Sequence, residues 1–431
     1  MKIVVFTPVT RRSAIARVAA MVTRELTELG HEVVVVGTES SNLTEADTHD
    51  FGGVLLWWRD DESVSKALHE ADSLVFHVGN NFDYHEGALS WLDIAPGVVC
   101  LHDVFLGHLF LGWAHVEPTR ARVLLADWYG IERAEWYFAS AAAGSLVDDA
   151  HAVMPLTEWV CAKATAVLTH SLWAAEKAAE SCPGPIAVAA LPYAGAEGRP
   201  APAAPGKRCR VITIGDINAN KRVESVICSI GRSATLKASV TYELVGRIAP
   251  AEVARLTNIA VDSGVDLVVS GEVSDEALAE AMQRAHIISC LRIPCLEAAS
   301  ASAIEAMLSG RPLIVVNDGF YREIPVDCAI KIDAVDELND LQTALERLYD
   351  DPELRGSVAA RAYEWAQATF NATNYAKRLA QISVEASTTR PVVSAIDHFA
   401  KVLVGWGGHP GMLTVPEVSG RLNILSGASA F

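Results

Sequence analysis

Residues 286–316, HIISCLRIPCLEAASASAIEAMLSGRPLIVV, constrain the fold of this chain more than any other stretch. The run reads as an apolar strand (His286 to Leu291), a proline-containing loop, and a helix of small residues that stops at Ser309 and Gly310. After Pro312 comes a second apolar strand, Leu313 to Val316. Strands that are apolar throughout, and not only at alternate positions, are buried on both faces, as in parallel sheets covered by helices. In such sheets ligands bind in the crevice beyond the carboxyl ends of the strands. A helix N-terminus there offers unpaired N–H groups and positive dipole character to anions. Two carboxylates bracket this junction, Glu297 in the loop and Glu305 inside the helix. Ala298 to Ser302 are small enough for a phosphate or sugar to approach the backbone. The acids would repel a phosphate, so hydroxyl groups are their expected partners. An ordinary β–α–β unit with two solvated glutamates fits the spacing equally well, and the rest of the chain must decide.

With 431 residues the chain exceeds one ordinary core, so two domains are expected. Hydrophobic residues make up 51% and charged residues 20%, a globular composition. The net charge of −18, from 35 basic and 53 acidic residues, argues against nucleic acid or a broadly anionic membrane as the main partner. No apolar run approaches the roughly 18 residues of a membrane span, and MKIVVFTPVTRR lacks the flanks of a signal peptide. Eight scattered cysteines show no zinc spacing, which fits a reducing cytoplasm.

The strand–helix alternation extends through both halves. Lys2 to Thr7 and Glu32 to Gly37 frame a first β–α–β unit without G-x-G-x-x-G. Its loop, TPVTRRSAIARVA, places Arg11, Arg12 and Ser13 at a helix entrance, either as solvated residues or facing anionic substrate groups. Further strands are expected at Val54–Trp57, Leu74–Val78 and Val98–His102. The last of these puts His102 and Asp103 at a carboxyl end, although histidines there are often structural. Residues 104–147 read as helical and aromatic-rich, largely core, with Trp113, Trp128 and Trp136 leaving peripheral membrane contact open. Strand-like segments follow at Ala152–Pro155, Ala166–His170 and Ile186–Ala190.

AGAEGRPAPAAPGKR (194–208) reads as a linker. The expected division is a first domain over 1–193 and a second over 209–372. A C-terminal helix (373–390) would pack back toward the first domain, with a tail over 391–431 of unassigned role. In the second domain Lys221 and Arg222 enter the first helix at a strand end, where a cation suits a diphosphate. A solvated Lys–Arg pair fits that position as well.

ELVGRIAP, VSGEVSDEALAEAMQRAHIISCLRIP and SAIEAMLSGRPLIVVNDGFYREIP follow one another in an order that resembles family 4 of the retaining glycosyltransferases, over roughly residues 1–385. LEAASASAIEAM is similar to that family's E-x7-E signature. PGVVCLHDVFLGHLF with FHVGNN resembles a branch common in bacterial polysaccharide and O-antigen clusters. The resemblance implies a GT-B architecture, two Rossmann-like doubly wound parallel-sheet domains facing across a cleft. It implies a metal-independent transferase without cofactor, moving a sugar from a nucleotide-diphosphate sugar to a glycan or lipid-linked saccharide. Glu305 would bind the donor ribose, and Glu297 with Ala299 and Ser300 the donor sugar. Lys221 would neutralise the diphosphate with help from Arg222 or Arg292. His102 would sit beside the anomeric carbon, and the loop at Val273 would meet the base. Arg11, Arg12, Ser13 and Asp103 would form the acceptor-side or phosphate-side loops. The implied location is the cytoplasm, with the inner membrane face as a peripheral option.

Three positions depart from the family. Gly215-Asp216-Ile217 replaces G-R-L, alanines follow Glu297 where glycines are usual, and Ala14 replaces a loop glycine. These departures motivate an alternative, a catalytically degenerate homologue that binds nucleotide or glycan and supports an active partner. A sugar-nucleotide epimerase of the same architecture is a third reading.

Overall fold

The computed structural model describes residues 1–40, 47–194, 200 and 208–408. Two all-parallel sheets organise it. The first holds β1 (Lys2–Thr7), β2 (Glu32–Gly37), β3 (Val54–Trp57), β4 (Ser73–Val78), β5 (Val98–Leu101), β6 (Ala166–Thr169) and β7 (Ile186–Val188), in the order β3-β2-β1-β4-β5-β6-β7. The second holds β8 (Cys209–Ile214), β9 (Val240–Val245), β10 (Asp266–Gly271), β11 (Ile287–Ser289), β12 (Leu313–Val316) and β13 (Ile330–Ile332), in the order β10-β9-β8-β11-β12-β13. Strand order therefore reverses between β1 and β4 and again between β8 and β11, and each reversal opens a crevice at the strand ends.

The strands obey their composition. Ile3 to Phe6, Val33 to Val36 and Leu313 to Val316 are buried throughout, with helices on both faces. The Ala14–Glu28 helix starts at Ser13, whose Oγ accepts from Ala16 N at 3.2 Å, and it buries Val18, Ala19, Val22 and Leu26. One apolar cluster runs without a break from the first sheet (Val5, Val75, Leu168) to the second (Ile212, Ile288, Val315) and the C-terminal helix (Tyr375, Leu379, Ile382).

Several sequence expectations need correction. Ala152–Pro155 is a turn, closed by Val153 N and Met154 N on Ala150 O, because the apolar run is too short between a preceding helix and Pro155 to pair as a strand. Ile330–Ile332 is an edge strand on β12 that its three residues and central Lys331 concealed. The C-terminal helix does not stop before Pro391 but runs from Ala372 to Gly405. A proline removes one backbone donor, and the turns on either side stay helical. Its first half packs on the first sheet and the Ala14–Glu28 helix, with Thr373 Oγ1 bonded to Glu25 at 2.6 Å. Most of the 194–208 segment and residues 409–431 lie outside the described residues. Trp113 is buried against Phe110 and Trp159, so only Trp128 and Trp136 of the three tryptophans reach the surface. Among the described residues no helix is long and apolar enough to cross a membrane.

Candidate active site

A cavity of about 430 Å³ lies where the two crevices face each other. The strand-end loops of both sheets line it. From the first half come Arg11, Arg12 and Ala14 after β1, His102 and Asp103 after β5, His170 after β6 and Tyr193 after β7. From the second half come Asp216 and Lys221 after β8, and Arg292, Glu297, Ala299, Ser300 and Glu305 after β11.

The halves touch at the cavity wall. Val104 N donates to Leu296 O and Ala298 N to His102 O, both at 2.8 Å, so Asp103 and Glu297 stand opposite each other in an antiparallel bridge. Ser171 Oγ adds a bond to Ala298 O at 2.7 Å. Glu323 of the second half accepts from Leu172 N and Trp173 N at 3.0 and 2.9 Å, capping a helix of the first.

The second half supplies the charges. Lys221 is 1% exposed and its ammonium donates to Ile214 O. Burial first, then repulsion from Arg292, lowers its pKa to about 7. Gly215 (φ 80°) permits this packing, since a Cβ there would lie 2.9 Å from Lys221 Nζ. Arg292 Nε pairs with Glu297 Oε1 at 2.9 Å. Ser300 caps the Ala301–Leu308 helix through Ala303 N, which directs that helix start into the cavity. Glu305 reaches across to Tyr193, and burial raises its carboxyl above the usual range. Arg17 Nη1 donates to the same Tyr193 hydroxyl at 3.4 Å.

Besides Arg11, Arg12 and Asp103, the first half supplies a row of neutral histidines. His77 Nδ1 lies 2.9 Å from His102 Nε2, and His102 Nδ1 lies 3.0 Å from His170 Nε2. His170 Nδ1 faces Ala189 O at 3.3 Å. A carbonyl only accepts, so His170 carries its proton on Nδ1, His102 donates from Nδ1, and His77 donates from Nδ1. Burial followed by mutual repulsion keeps the chain uncharged, with His77 down to about 3 and His102 well below its ordinary value; burial alone takes His170 down to about 4. Both ring nitrogens of His102 are therefore occupied by other histidines.

Some expected residues lie elsewhere, and others in the cavity are already engaged. Arg222 takes a left-handed backbone (φ 54°) that turns its guanidinium onto Glu337, with bonds of 2.6 to 3.2 Å, outside this cavity. Of the two arginines considered for the diphosphate, Arg292 is the one in the cleft. Val273 packs against the core cluster and does not line the cavity. Ser13 acts as a helix cap, and exposed Arg11 pairs with Asp47 at 2.9 Å. The charge of Asp216 is countered by Arg247, whose Nη2 lies 2.5 Å and Nε 3.2 Å from the carboxylate.

Sequence reasoning passed over His77, His170, Tyr193 and Glu39. VLTHS repeats the strand–His pattern of VVCLHD, a usable signal for His170. Glu39, buried just beyond β2, accepts from Val9 N and Thr10 N at 2.5 and 2.8 Å and so shapes the arginine loop. Nothing local marks Tyr193.

Residues 196–365 match the family described as glycosyl transferases group 1. No curated protein matches the chain. Among solved structures, a sucrose-phosphate synthase from Thermosynechococcus elongatus is 14% identical with a TM-score of 0.60, covering 89% of this chain and 98% of its own. HepE of Anabaena, solved with UDP and glucose, is 13% identical with a TM-score of 0.57 over 89% and 99% of the two chains. WaaG, a glycosyltransferase involved in lipopolysaccharide biosynthesis, is 13% identical with a TM-score of 0.55 over 89% and 99%. At such identities these likenesses speak for the fold. The chain thus has the two-domain GT-B fold and carries a match to the glycosyl transferases group 1 family in its second half, which together support glycosyl transfer.

Proposed function

We propose that the protein is a retaining glycosyltransferase that moves a sugar from a nucleoside-diphosphate sugar to a glycan or lipid-linked saccharide. One observation carries this reading. Lys221, Arg292, Glu297, Glu305 and a helix start converge on a single cavity at the β8/β11 switch point. As the glycosidic bond to the diphosphate breaks, negative charge grows on the phosphate. Preorganised cations and backbone donors stabilise such charge in a water-poor site. Lys221 and Arg292 would meet the diphosphate, so metal is not needed for that step. Glu305 would accept from ribose hydroxyls, exchanging Tyr193 for them. Glu297, oriented by Arg292, would accept from the donor sugar. UDP is the first nucleotide to test, because the HepE structures hold UDP or UDP-glucose.

The site does not favour the degenerate reading. Asp216 is paired with Arg247, and Arg292 lies close enough to Lys221 to repel it, so two cations stand at the proposed diphosphate position. Thermal unfolding of wild type and Glu305→Ala against UDP, GDP, dTDP and ADP tests the proposal. A ligand at about 100 times its Kd stabilises by roughly 2.7 kcal/mol, worth a few degrees in Tm. One nucleotide should shift the wild type and not the variant. No shift with any of them would overturn the donor site.

A further inference from the structure

The histidine row is polar in composition, yet every ring nitrogen it brings to the cavity is already engaged. His102 Nε2 accepts from His77 Nδ1 at 2.9 Å, and His102 Nδ1 donates to His170 Nε2 at 3.0 Å. His170 Nδ1 is turned to Ala189 O at 3.3 Å. Of the row's nitrogens, His77 Nε2 alone has no partner among the described residues, and His77 does not line the cavity. Burial keeps His102 and His170 uncharged at neutral pH, so neither ring carries a second N–H. A neutral imidazole has one N–H and one in-plane lone pair. With both used, these rings meet a ligand only as carbon and ring face.

Strand order puts this wall where the donor sugar would lie. β5, β6 and β7 run side by side and lead to His102 with Asp103, to His170, and to Tyr193. At one end of the series Asp103 faces Glu297 through the bridge between the halves. At the other end Tyr193 meets Glu305. A sugar held by Glu297, with its ribose on Glu305, therefore rests on His102 and His170. Sugar hydroxyls toward the β5 end find the carboxyls of Glu297 and Asp103. Arg11 and Arg12 follow β1, which β4 separates from β5. The remaining lining of the first half adds aliphatic carbon from Ala14, Ile15 and Leu191. A hydroxyl pressed on the histidine wall would leave water without finding a partner, whereas a methyl group there gains from burial.

We propose that the donor sugar is a 6-deoxyhexose whose methyl group lies against His102 and His170, a proposal that rests on the glycosyl-transfer reading above. This class of deoxysugar carries its methyl outside the ring, where it can fill an apolar recess. A position deoxygenated within the ring would present only a flat edge and leave the recess empty.

The nucleotide that shifts Tm in the series above fixes the base, and matched sugars on that nucleotide test the proposal. Calorimetry would compare glucose with 6-deoxyglucose, mannose with 6-deoxymannose and galactose with 6-deoxygalactose, each as its nucleoside-diphosphate ester. In at least one pair the 6-deoxy member should bind about 10- to 100-fold tighter, the scale at which an apolar pocket rejects an added hydroxyl. His170→Ala takes away the acceptor of His102 Nδ1 and opens space before it, which frees that N–H for a sugar hydroxyl. The preference within the pair should then shrink by about fivefold or more, the worth of one hydrogen bond gained. General loss of stability does not move such a ratio. His170→Gln offers an amide oxygen to the same N–H and should keep the preference. A wild type in which no 6-deoxy member binds at least about fivefold tighter than its partner overturns the proposal alone, as does an unchanged ratio in His170→Ala. The wild-type comparison decides by itself if that variant fails to fold. A wild type that binds neither nucleotide nor nucleotide sugar overturns the parent reading, and this one with it.

Discussion

The two sheets share a strand order, and both open their crevice at the reversal next to their first strand, yet the two mouths are built from opposite materials. Around β8 and β11 the strand ends carry Lys221, Arg292, Glu297 and Glu305, charged groups drawn out of water, with Arg292 paired to Glu297. Around β4, β5 and β6 they carry His77, His102 and His170, a hydrogen-bonded row kept neutral by burial. Backbone topology fixes where a ligand can lie, and the strand-end side chains decide which kind. A charged mouth suits the diphosphate, whose developing charge it can meet. The neutral histidine row suits an uncharged sugar, and those rings do not compete for the phosphate.

The largest expected effect separates two arginines that look alike in sequence. Arg292→Met removes the guanidinium inside the charged mouth and leaves Glu297 unpaired. Transfer should fall by about 10³-fold, the upper scale for losing one preorganised donor. Arg222→Met should stay within about threefold, because Arg222 is spent on Glu337 outside the cavity. Steady-state transfer assays with both variants check the pair, and equal losses would erase the distinction drawn between them.

A smaller effect concerns Lys221. With its pKa down to about 7, most of the amine is neutral at pH 8. A diphosphate would favour the ammonium and raise the value again, so nucleotide binding at pH 8 should take up a proton. Calorimetry in two buffers of different ionisation enthalpy would read this as a difference in apparent binding enthalpy, lost in Lys221→Met. Identical enthalpies in wild type would mean that the lysine is already charged before the ligand arrives.

The charged mouth was more legible in the sequence than the neutral one, for a physical reason. Glu297 and Glu305 sit eight residues apart on one loop and helix, and Lys221 follows its own strand directly, so local chain geometry brings them to the crevice. The histidine row joins residues 77, 102 and 170, which only the pairing of β4, β5 and β6 brings together. Tyr193 beside Glu305 depends on how the halves face each other, and no local pattern encodes that. Arg222 misled because the left-handed turn that redirects its side chain has no signature in a non-glycine residue. The alternation of strands and helices was readable throughout. Its errors lay in three-residue pieces such as Ile330–Ile332 and in the proline inside the last helix, where tertiary packing outweighs local preference.

The smallest effect tests the neutrality of the first mouth through stability alone. In the folded chain His77 titrates near 3 and His170 near 4, against an ordinary 6.5. Between 6.5 and those values the unfolded chain binds protons that the folded chain refuses. Their contribution to stability is therefore full above 6.5 and is lost as pH falls through this window. Asp103 works in the opposite sense: its raised value favours the folded state below its ordinary 3.8, and that contribution is lost as pH rises through about 7. His77→Leu removes one proton from the acid response. Between pH 6 and 5 the slope of unfolding free energy against pH should flatten by about 1.4 kcal/mol per unit, the linkage of a single proton. The variant also deprives His102 Nε2 of its donor, a constant loss of about 1–3 kcal/mol for a buried unpaired group. That loss displaces the curve without altering its slope, so the two effects separate in denaturant titrations at a series of pH values. The nucleotide-induced shift should persist in the same variant, because His77 touches the neutral mouth and none of the charged one. An unchanged slope would show that His77 takes up its proton in the folded chain, and the first mouth would then be charged at the pH where the two were contrasted.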